Sequence, residues 1–205
     1  ASGFEKEVTL AAALALKARL ERTGRYRVVM TRSSDVYVPL ENRVPIARKS
    51  GADLFISLHA DSGPNTSTRG ASVYTLADRA VARSQKLVSK DDWFMKVSQA
   101  DRGVSGILFD LTQRSTKNRS ATFAEMVLDR ISDGDMRLLR RSHREAGLAV
   151  LLAPDVPAVL LEMGFVNNPE DEAFLRDPAG RAKLMNAVGD SIDAYFAQET
   201  RLASR

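Results

Sequence analysis

The sequence contains no cysteine, one tryptophan and only two histidines among its 205 residues. Without cysteine the chain can form neither a disulfide nor a thiolate metal site, and it cannot use a cysteine nucleophile. No apolar run approaches the roughly 18 residues that a bilayer-spanning helix requires, so we expect no membrane span. The first residues also lack the basic start and apolar centre of a signal peptide.

The sequence also lacks a large excess of basic over acidic residues. The chain has 30 Lys and Arg against 26 Asp and Glu, a net charge of +4. This value is too mild to indicate a nucleic-acid partner, although it suits an anionic polymer. With 44% apolar and 27% charged residues, the composition is typical of a globular protein, and the length predicts a single domain.

The apolar spacing predicts helices that alternate with buried strands. Residues 6–23 and 40–50 show helical periodicity, and Gly24 and Gly51 follow them as stop signals. Short apolar or β-branched runs predict strands at 27–31, 53–59, 71–76 and 156–163, with another apolar run at 148–152 just before the last of them. The expected fold is therefore α/β, with a mostly parallel twisted sheet flanked by helices.

The segment 79–146 has a different character and is predicted to be a helical insertion before the last strand pair. After it, Asn168 and Pro169 resemble a helix cap followed by a first helical residue. A four-residue apolar repeat from Leu184 to Phe196 predicts a final helix with one apolar stripe.

Two residues at strand ends are candidates for chemistry, because ligands bind at the carboxyl ends of strands in open α/β sheets. His59 closes one apolar run and Glu162 closes another. Taken alone, His59 could simply cap its strand end by hydrogen bonds, and Glu162 could form a salt bridge with a nearby arginine. A carboxylate at the end of a buried strand nevertheless requires a partner, such as a cation or a proton relay.

Several longer motifs carry a more specific signal over nearly the whole chain. They are TRSSD at 31–35 with LENR at 40–43, SLHAD at 57–61, and LLEMGFVNN at 160–168. In these motifs the chain resembles the zinc-dependent N-acetylmuramoyl-L-alanine amidases, which hydrolyse bacterial peptidoglycan.

The resemblance implies a role for each matching residue. It implies that Glu5 and His59 are zinc ligands and that Glu162 is the catalytic glutamate that works on the attacking water. The family's other histidine ligand lies in a glycine-rich loop after a first strand, just ahead of the glutamate, and Ala1 stands only four residues before Glu5. Either the residues before Ala1 supply this strand and ligand, which is our expectation, or the protein lacks the ligand and binds zinc poorly.

The resemblance extends to the cell-division subgroup of these amidases. In that subgroup an added helical segment covers the zinc site until an activator protein removes it. It implies an autoinhibitory role for residues near 85–97, with Asp91 and Asp92 as the nearest acids, although this stretch could also be a solvated loop. It further implies an activator with a LytM domain, a periplasmic location, a role in daughter-cell separation, and a monomeric chain.

His143 and Arg144 are candidates for contacting the substrate or the metal. They lie in a basic segment whose arginines could form an ordinary solvated face or could bind carboxylates of the peptidoglycan stem peptide. Two other functions are compatible with the sequence: a catalytically inactive peptidoglycan-binding or regulatory module on the same fold, and a nucleic-acid binder that only the charge supports.

Overall fold

A four-stranded sheet organises the structure, a computed structural model that describes residues 2–88, 102–134 and 136–204. The strands are β1 (Phe55–Asp61), β2 (Ala71–Leu76), β3 (Leu138–Ala146) and β4 (Ala158–Phe165). Their spatial order is β1-β4-β2-β3. The pairs β1·β4 and β2·β3 are parallel, whereas β2 and β4 are antiparallel. The predicted α/β fold with a mostly parallel sheet is confirmed.

Six α-helices are described around this sheet. They are α1 (Ser2–Glu21), α2 (Leu40–Lys49), α3 (Val81–Val88), α4 (Arg102–Ser132), α5 (Pro169–Arg176) and α6 (Pro178–Ala203). Helix α1 packs against α6 and β1, and α4 packs against α6 and β2.

Side-chain alternation along β4 divides the core into two parts. Val159, Leu161 and Met163 face the larger cluster, which also contains buried residues of α1, α4 and α6. Ala158 and Leu160 face a smaller cluster on the other side of the sheet. Because side chains alternate between the two faces of a strand, Glu162 belongs to the face of Ala158 and Leu160.

The carboxyl-terminal helices begin where capping chemistry predicts. The Asn168 side chain accepts hydrogen bonds from the backbone N–H groups of Glu170 and Asp171, and Pro169 follows it as the first residue of α5. A second cap at Asp177 starts α6 separately. The apolar stripe of α6 is buried as expected, at Leu184, Val188 and Ile192.

Two strand predictions are wrong. Residues 27–31 are extended but form no strand, and Val29 is 48% exposed. The reason is that no described strand lies beside them to complete the hydrogen-bond ladder. Residues 148–152 contain a short 3-10 helix at Ala149–Leu151 instead of a strand.

The predicted boundaries of the insertion also differ from the structure. Strand β3 falls within 79–146, and so does helix α4, which buries Phe123, Val127 and Ile131 in the larger core cluster. Much of this segment therefore belongs to the central fold. Residues 89–101, which include Asp91 and Asp92, lie outside the described part of the chain.

A groove of about 1320 Å³ runs along the free edge of β1. Residues 54–59 form one wall and the extended residues 25–32 form the opposite wall, with parts of α1 and α6 below. None of the helices that the structure describes is long and apolar enough to cross a membrane.

Candidate active site

Sheet register brings the two strand-end candidates together. His59 of β1 is the direct partner of Glu162 of β4, and Ser72 of β2 lies opposite Glu162 on the other side. Neighbouring strands are about 4.8 Å apart. The imidazole and the carboxylate therefore share one face of the sheet at the carboxyl ends of β1 and β4.

Helix α1 supplies the third predicted residue. The Glu5 Oε1 atom lies 3.3 Å from His59 Nδ1, and the other ring nitrogen, Nε2, lies 3.0 Å from Ser57 Oγ. A carboxylate can only accept, so Nδ1 donates to Glu5 and Nε2 accepts from the Ser57 hydroxyl. The hydrogen bond from His59 holds the pKa of Glu5 below its ordinary value, although burial acts in the opposite direction.

Glu162 lies in a less favourable environment than Glu5. Its Oε2 atom is buried and has no hydrogen-bond partner in the described structure. Burial, together with the negative charges of Asp61 and Glu5, raises the pKa of Glu162 to about 8. A carboxyl group with this pKa is protonated at neutral pH in the metal-free chain, and such groups are typical of general acid–base sites.

A network of hydrogen bonds holds the loops after β1 and β4 beside this site. Asn167 accepts from the Gly63 backbone N–H at 3.0 Å and donates to the Gly63 carbonyl at 2.9 Å. The buried Asp171 carboxylate accepts from the backbone N–H groups of Gly70 and Phe165 at 2.7 and 3.0 Å. The motif MGFVNN therefore fixes the loop that follows His59 and Asp61.

His143 is not brought together with the other candidates. It pairs with Val73, whose side chain faces the larger core cluster, so His143 lies on the face of the sheet opposite Glu162. Its Nε2 atom lies 3.0 Å from Thr75 Oγ1, and its Nδ1 atom lies 2.5 Å from Glu125 Oε1.

Arg144 points to the other face. It pairs with Tyr74, which packs with the smaller cluster, and it donates to the Tyr74 hydroxyl at 2.7 Å. Its guanidinium also lies 5.5 Å from the centre of the Tyr74 ring. Arg144 therefore shares the face of Glu162.

The donor chemistry of this site fits a zinc ion in part. Carboxylate and imidazole groups are both preferred zinc ligands. Where one hydrogen bond joins them, a divalent cation can replace the proton that they share. The unpartnered Glu162 oxygen beside them adds a group that can hold a proton. Among the residues that the structure describes, however, no three His, Asp or Glu side chains are grouped closely enough to hold a metal. Glu5 and His59 would supply two ligands, and a further ligand is required.

Two electrostatic contributors were missed by sequence reasoning. Asp61 raises the pKa of Glu162, and Arg43 contributes to the lowered pKa of Glu5. Both lie in motifs that were recognised, SLHAD and LENR, but nothing in their spacing distinguishes them from ordinary surface charges.

Comparison with known proteins decides the family. The family profile described as N-acetylmuramoyl-L-alanine amidase matches residues 1–194. The chain belongs to the N-acetylmuramoyl-L-alanine amidase family. The amidase AmiA of Escherichia coli K12 is 35% identical to it over 204 residues, which cover 94% of this chain and 68% of that relative. The amidase AmiC of Escherichia coli O6:H1 is 36% identical over 208 residues, or 98% of this chain, which spans about half (49%) of that relative's length.

Solved amidase structures share the fold. The CwlD amidase of Clostridioides difficile, solved in complex with the GerS lipoprotein, superposes with a TM-score of 0.70 at 20% identity, covering 94% of this chain and 86% of that one. The amidase Ami1 of Mycobacterium abscessus gives a TM-score of 0.67 at 25% identity, covering 94% and 78%. The sheet and its flanking helices are therefore those of an amidase catalytic domain.

Proposed function

We propose that this chain is the catalytic domain of a zinc-dependent peptidoglycan amidase. It cleaves the amide between the lactyl group of N-acetylmuramic acid and the L-alanine of the stem peptide. Family membership supports the reaction class. The observation that carries the proposal is the hydrogen-bonded Glu5–His59 pair beside a partly buried glutamate whose Oε2 atom lacks a partner among the described residues.

Glu5 and His59 would hold the zinc ion, and when bound it would supply polarisation of the amide carbonyl and of water. Glu162 moves the proton. Its carboxylate removes a proton from the attacking water as the new C–O bond forms. It then delivers that proton to the amide nitrogen as the C–N bond breaks. The products are a carboxylic acid on the lactyl group and a free amine on L-alanine.

We propose that a further strand completes this unit. The groove beside β1 offers support, because the β1 edge and the extended residues 25–32 face one another across it without a ladder. A strand in this groove would pair with β1, and the loop after it would reach Glu5 and bring the missing histidine ligand. Amide hydrogen exchange tests this proposal: in a chain extended upstream of Ala1, residues 27–30 and 55–59 become protected. Unchanged exchange at both walls would contradict it.

We further propose that residues 85–97 regulate the site in the periplasm and that a LytM-type activator relieves the inhibition during daughter-cell separation. Asp91 and Asp92 would act on the metal. The exposed apolar side chains of Ile107, Leu108 and Leu111 on α4 support the idea that a covering segment or a partner packs on this helix. Deletion of 85–97 is expected to raise basal hydrolysis, and lower or equal activity of the folded deletion would contradict gating.

A second candidate function is an inactive wall-binding or regulatory module, which the absence of a third ligand among the described residues favours. The experiment that separates the two is a peptidoglycan digest by the zinc-loaded chain extended upstream. The proposed amidase releases stem peptides with a new L-alanine amino terminus. If this chain and its Glu162→Gln variant both release none, the inactive module is the better description.

A further inference from the structure

Strand β3 contains an unusual irregularity opposite the candidate catalytic glutamate. Ala71 of β2 pairs with Leu138, but Val73 pairs with His143. The single residue Ser72 therefore faces the four residues 139–142 of β3. Bulges of this kind redirect side chains and are common beside active sites. Because Ser72 is also the β4 partner of Glu162, the bulge lies two strand spacings, or about 10 Å, from that residue.

The bulge presents two arginines that have no counter-ion among the residues that the structure describes. Arg140 and Arg141 are exposed, and within the described part of the chain neither side chain forms a hydrogen bond or an ion pair with another residue. With Arg144, they line a pocket of about 500 Å³ whose other walls include Asp61 and Phe165. Three guanidinium groups against one carboxylate give this pocket a net positive charge.

Two residues of the pocket wall, Asp61 and Phe165, end the strands that carry the candidate active site. Asp61 lies two residues after His59 and acts on the pKa of Glu162, and Phe165 lies three residues after Glu162 and pairs with Asp61. Arg144 is held in place by the Tyr74 hydroxyl and ring. A ligand in the pocket would therefore extend from the reacting amide along the surface of β2 and β3.

We propose that this arginine pocket binds a carboxylate of the peptide part of the substrate. Guanidinium groups bind carboxylates through paired, charge-assisted hydrogen bonds. Arg140 and Arg141, which have no side-chain partner among the described residues, are available for this purpose. An extended peptide advances about 3.3 Å per residue. The recognised carboxylate thus lies two or three residues beyond the cleaved amide. This inference rests on the proposed amidase function and adds the feature of the stem peptide that the enzyme selects.

The test compares two muropeptides that differ only at this carboxylate, one with the free acid and one with the carboxamide. The double variant Arg140→Gln, Arg141→Gln should raise KM for the free acid about 10- to 100-fold, the value of about one charge-assisted hydrogen bond. Its KM for the carboxamide and its kcat should change less than about twofold, because the proton-transferring group is untouched. The matched control is Arg130→Gln, Arg137→Gln, which removes the same charge from exposed positions outside the pocket and should leave both KM values unchanged.

The outcomes separate this inference from the function on which it rests. Suppose that the wild-type chain cuts both muropeptides. If the double variant then loses activity on both equally, or on neither, the carboxylate pocket is refuted while the amidase stands. If the zinc-loaded wild-type chain extended upstream of Ala1 cuts neither, the amidase proposal fails, and calorimetric titration of the free peptides decides the pocket. Tenfold tighter binding of the acid than of the amide, abolished in the double variant alone, supports the pocket. Equal binding refutes it.

Discussion

Glu162→Gln should have opposite effects on stability and on activity. In the metal-free chain, burial and the nearby carboxylates raise the pKa of Glu162 to about 8 from an ordinary 4.5. The neutral form is therefore favoured by folding. Its contribution to stability is complete below about pH 4.5 and is lost as pH rises through about 8. Glutamine keeps the shape of the neutral acid and cannot ionise.

The size of the effect follows from the same values. The full difference between the two pKa values corresponds to at most about 5 kcal/mol, and solvent reaching the partly exposed group reduces it to about 2–3 kcal/mol. In chelator-treated protein at pH 9, the variant should unfold about 4–12 °C above the wild type, since 1 kcal/mol shifts Tm by roughly 2–4 °C in a chain of this size. At pH 4.5 the difference should nearly vanish.

Thermal denaturation at both pH values checks the stability half of this prediction. Peptidoglycan hydrolysis checks the other half, where loss of the proton-transferring group should lower kcat about 10²- to 10⁴-fold. Glu125→Gln, on the opposite face of the sheet, is the matched control and should show neither effect. Equal stability of wild type and Glu162→Gln at pH 9 would refute the electrostatic reasoning, and full activity of the variant would refute the catalytic assignment.

Other predictions concern the scaffold that holds the site. Asp171→Ala leaves two buried backbone N–H groups without an acceptor, so chemical denaturation should show a loss of about 2–5 kcal/mol. Gly180→Ala would place Cβ 2.4 Å from the carbonyl oxygen of Phe174 and should cost about 1–3 kcal/mol, whereas Gly106→Ala meets open space in helix α4 and should gain about 0.5–1 kcal/mol. Burial would raise the pKa of Asp193, but hydrogen bonds from a tyrosine and an arginine hold it below the ordinary 3.8. Asp193→Asn should therefore destabilise the chain at pH 7, and the deficit should shrink as pH falls below 3.8.

The sequence predicted those elements whose signals are local. Cap residues such as Asn168 and stop glycines such as Gly24 determine helix ends through their own side chains or their positive φ. Buried apolar runs likewise predicted β2 and β4. These features require no knowledge of which strand lies next to which.

The failures concern elements that depend on neighbours. Residues 27–31 have strong β propensity, but a strand requires an adjacent ladder, and the described structure places a groove there instead. Strand β3 is an edge strand with polar and charged residues and a four-residue bulge, so neither alternation nor hydrophobicity marks it.

The candidate site was predictable in its residues but not in its electrostatics. Glu5, His59 and Glu162 were recognised through the amidase motifs, and the structure brings them to one end of the sheet. The carboxylate–imidazole hydrogen bond joins Glu5 and His59, which are more than 50 positions apart in the sequence. The unpartnered Glu162 oxygen likewise depends on which residues the fold packs around it. The same limit explains why His143 remained a candidate until the sheet register placed it on the opposite face.

Zinc stoichiometry in two matched pairs of variants tests the central claim most directly. The described residues contain two carboxylate–imidazole pairs, Glu5 with His59 and Glu125 with His143. In a chain extended upstream of Ala1 and dialysed against zinc, we expect one bound ion per molecule. We expect Glu5→Gln or His59→Ala to weaken its binding at least about tenfold, whereas Glu125→Gln and His143→Ala should retain it. Full zinc binding by His59→Ala, or an equal loss in His143→Ala, would contradict the assignment of the metal centre.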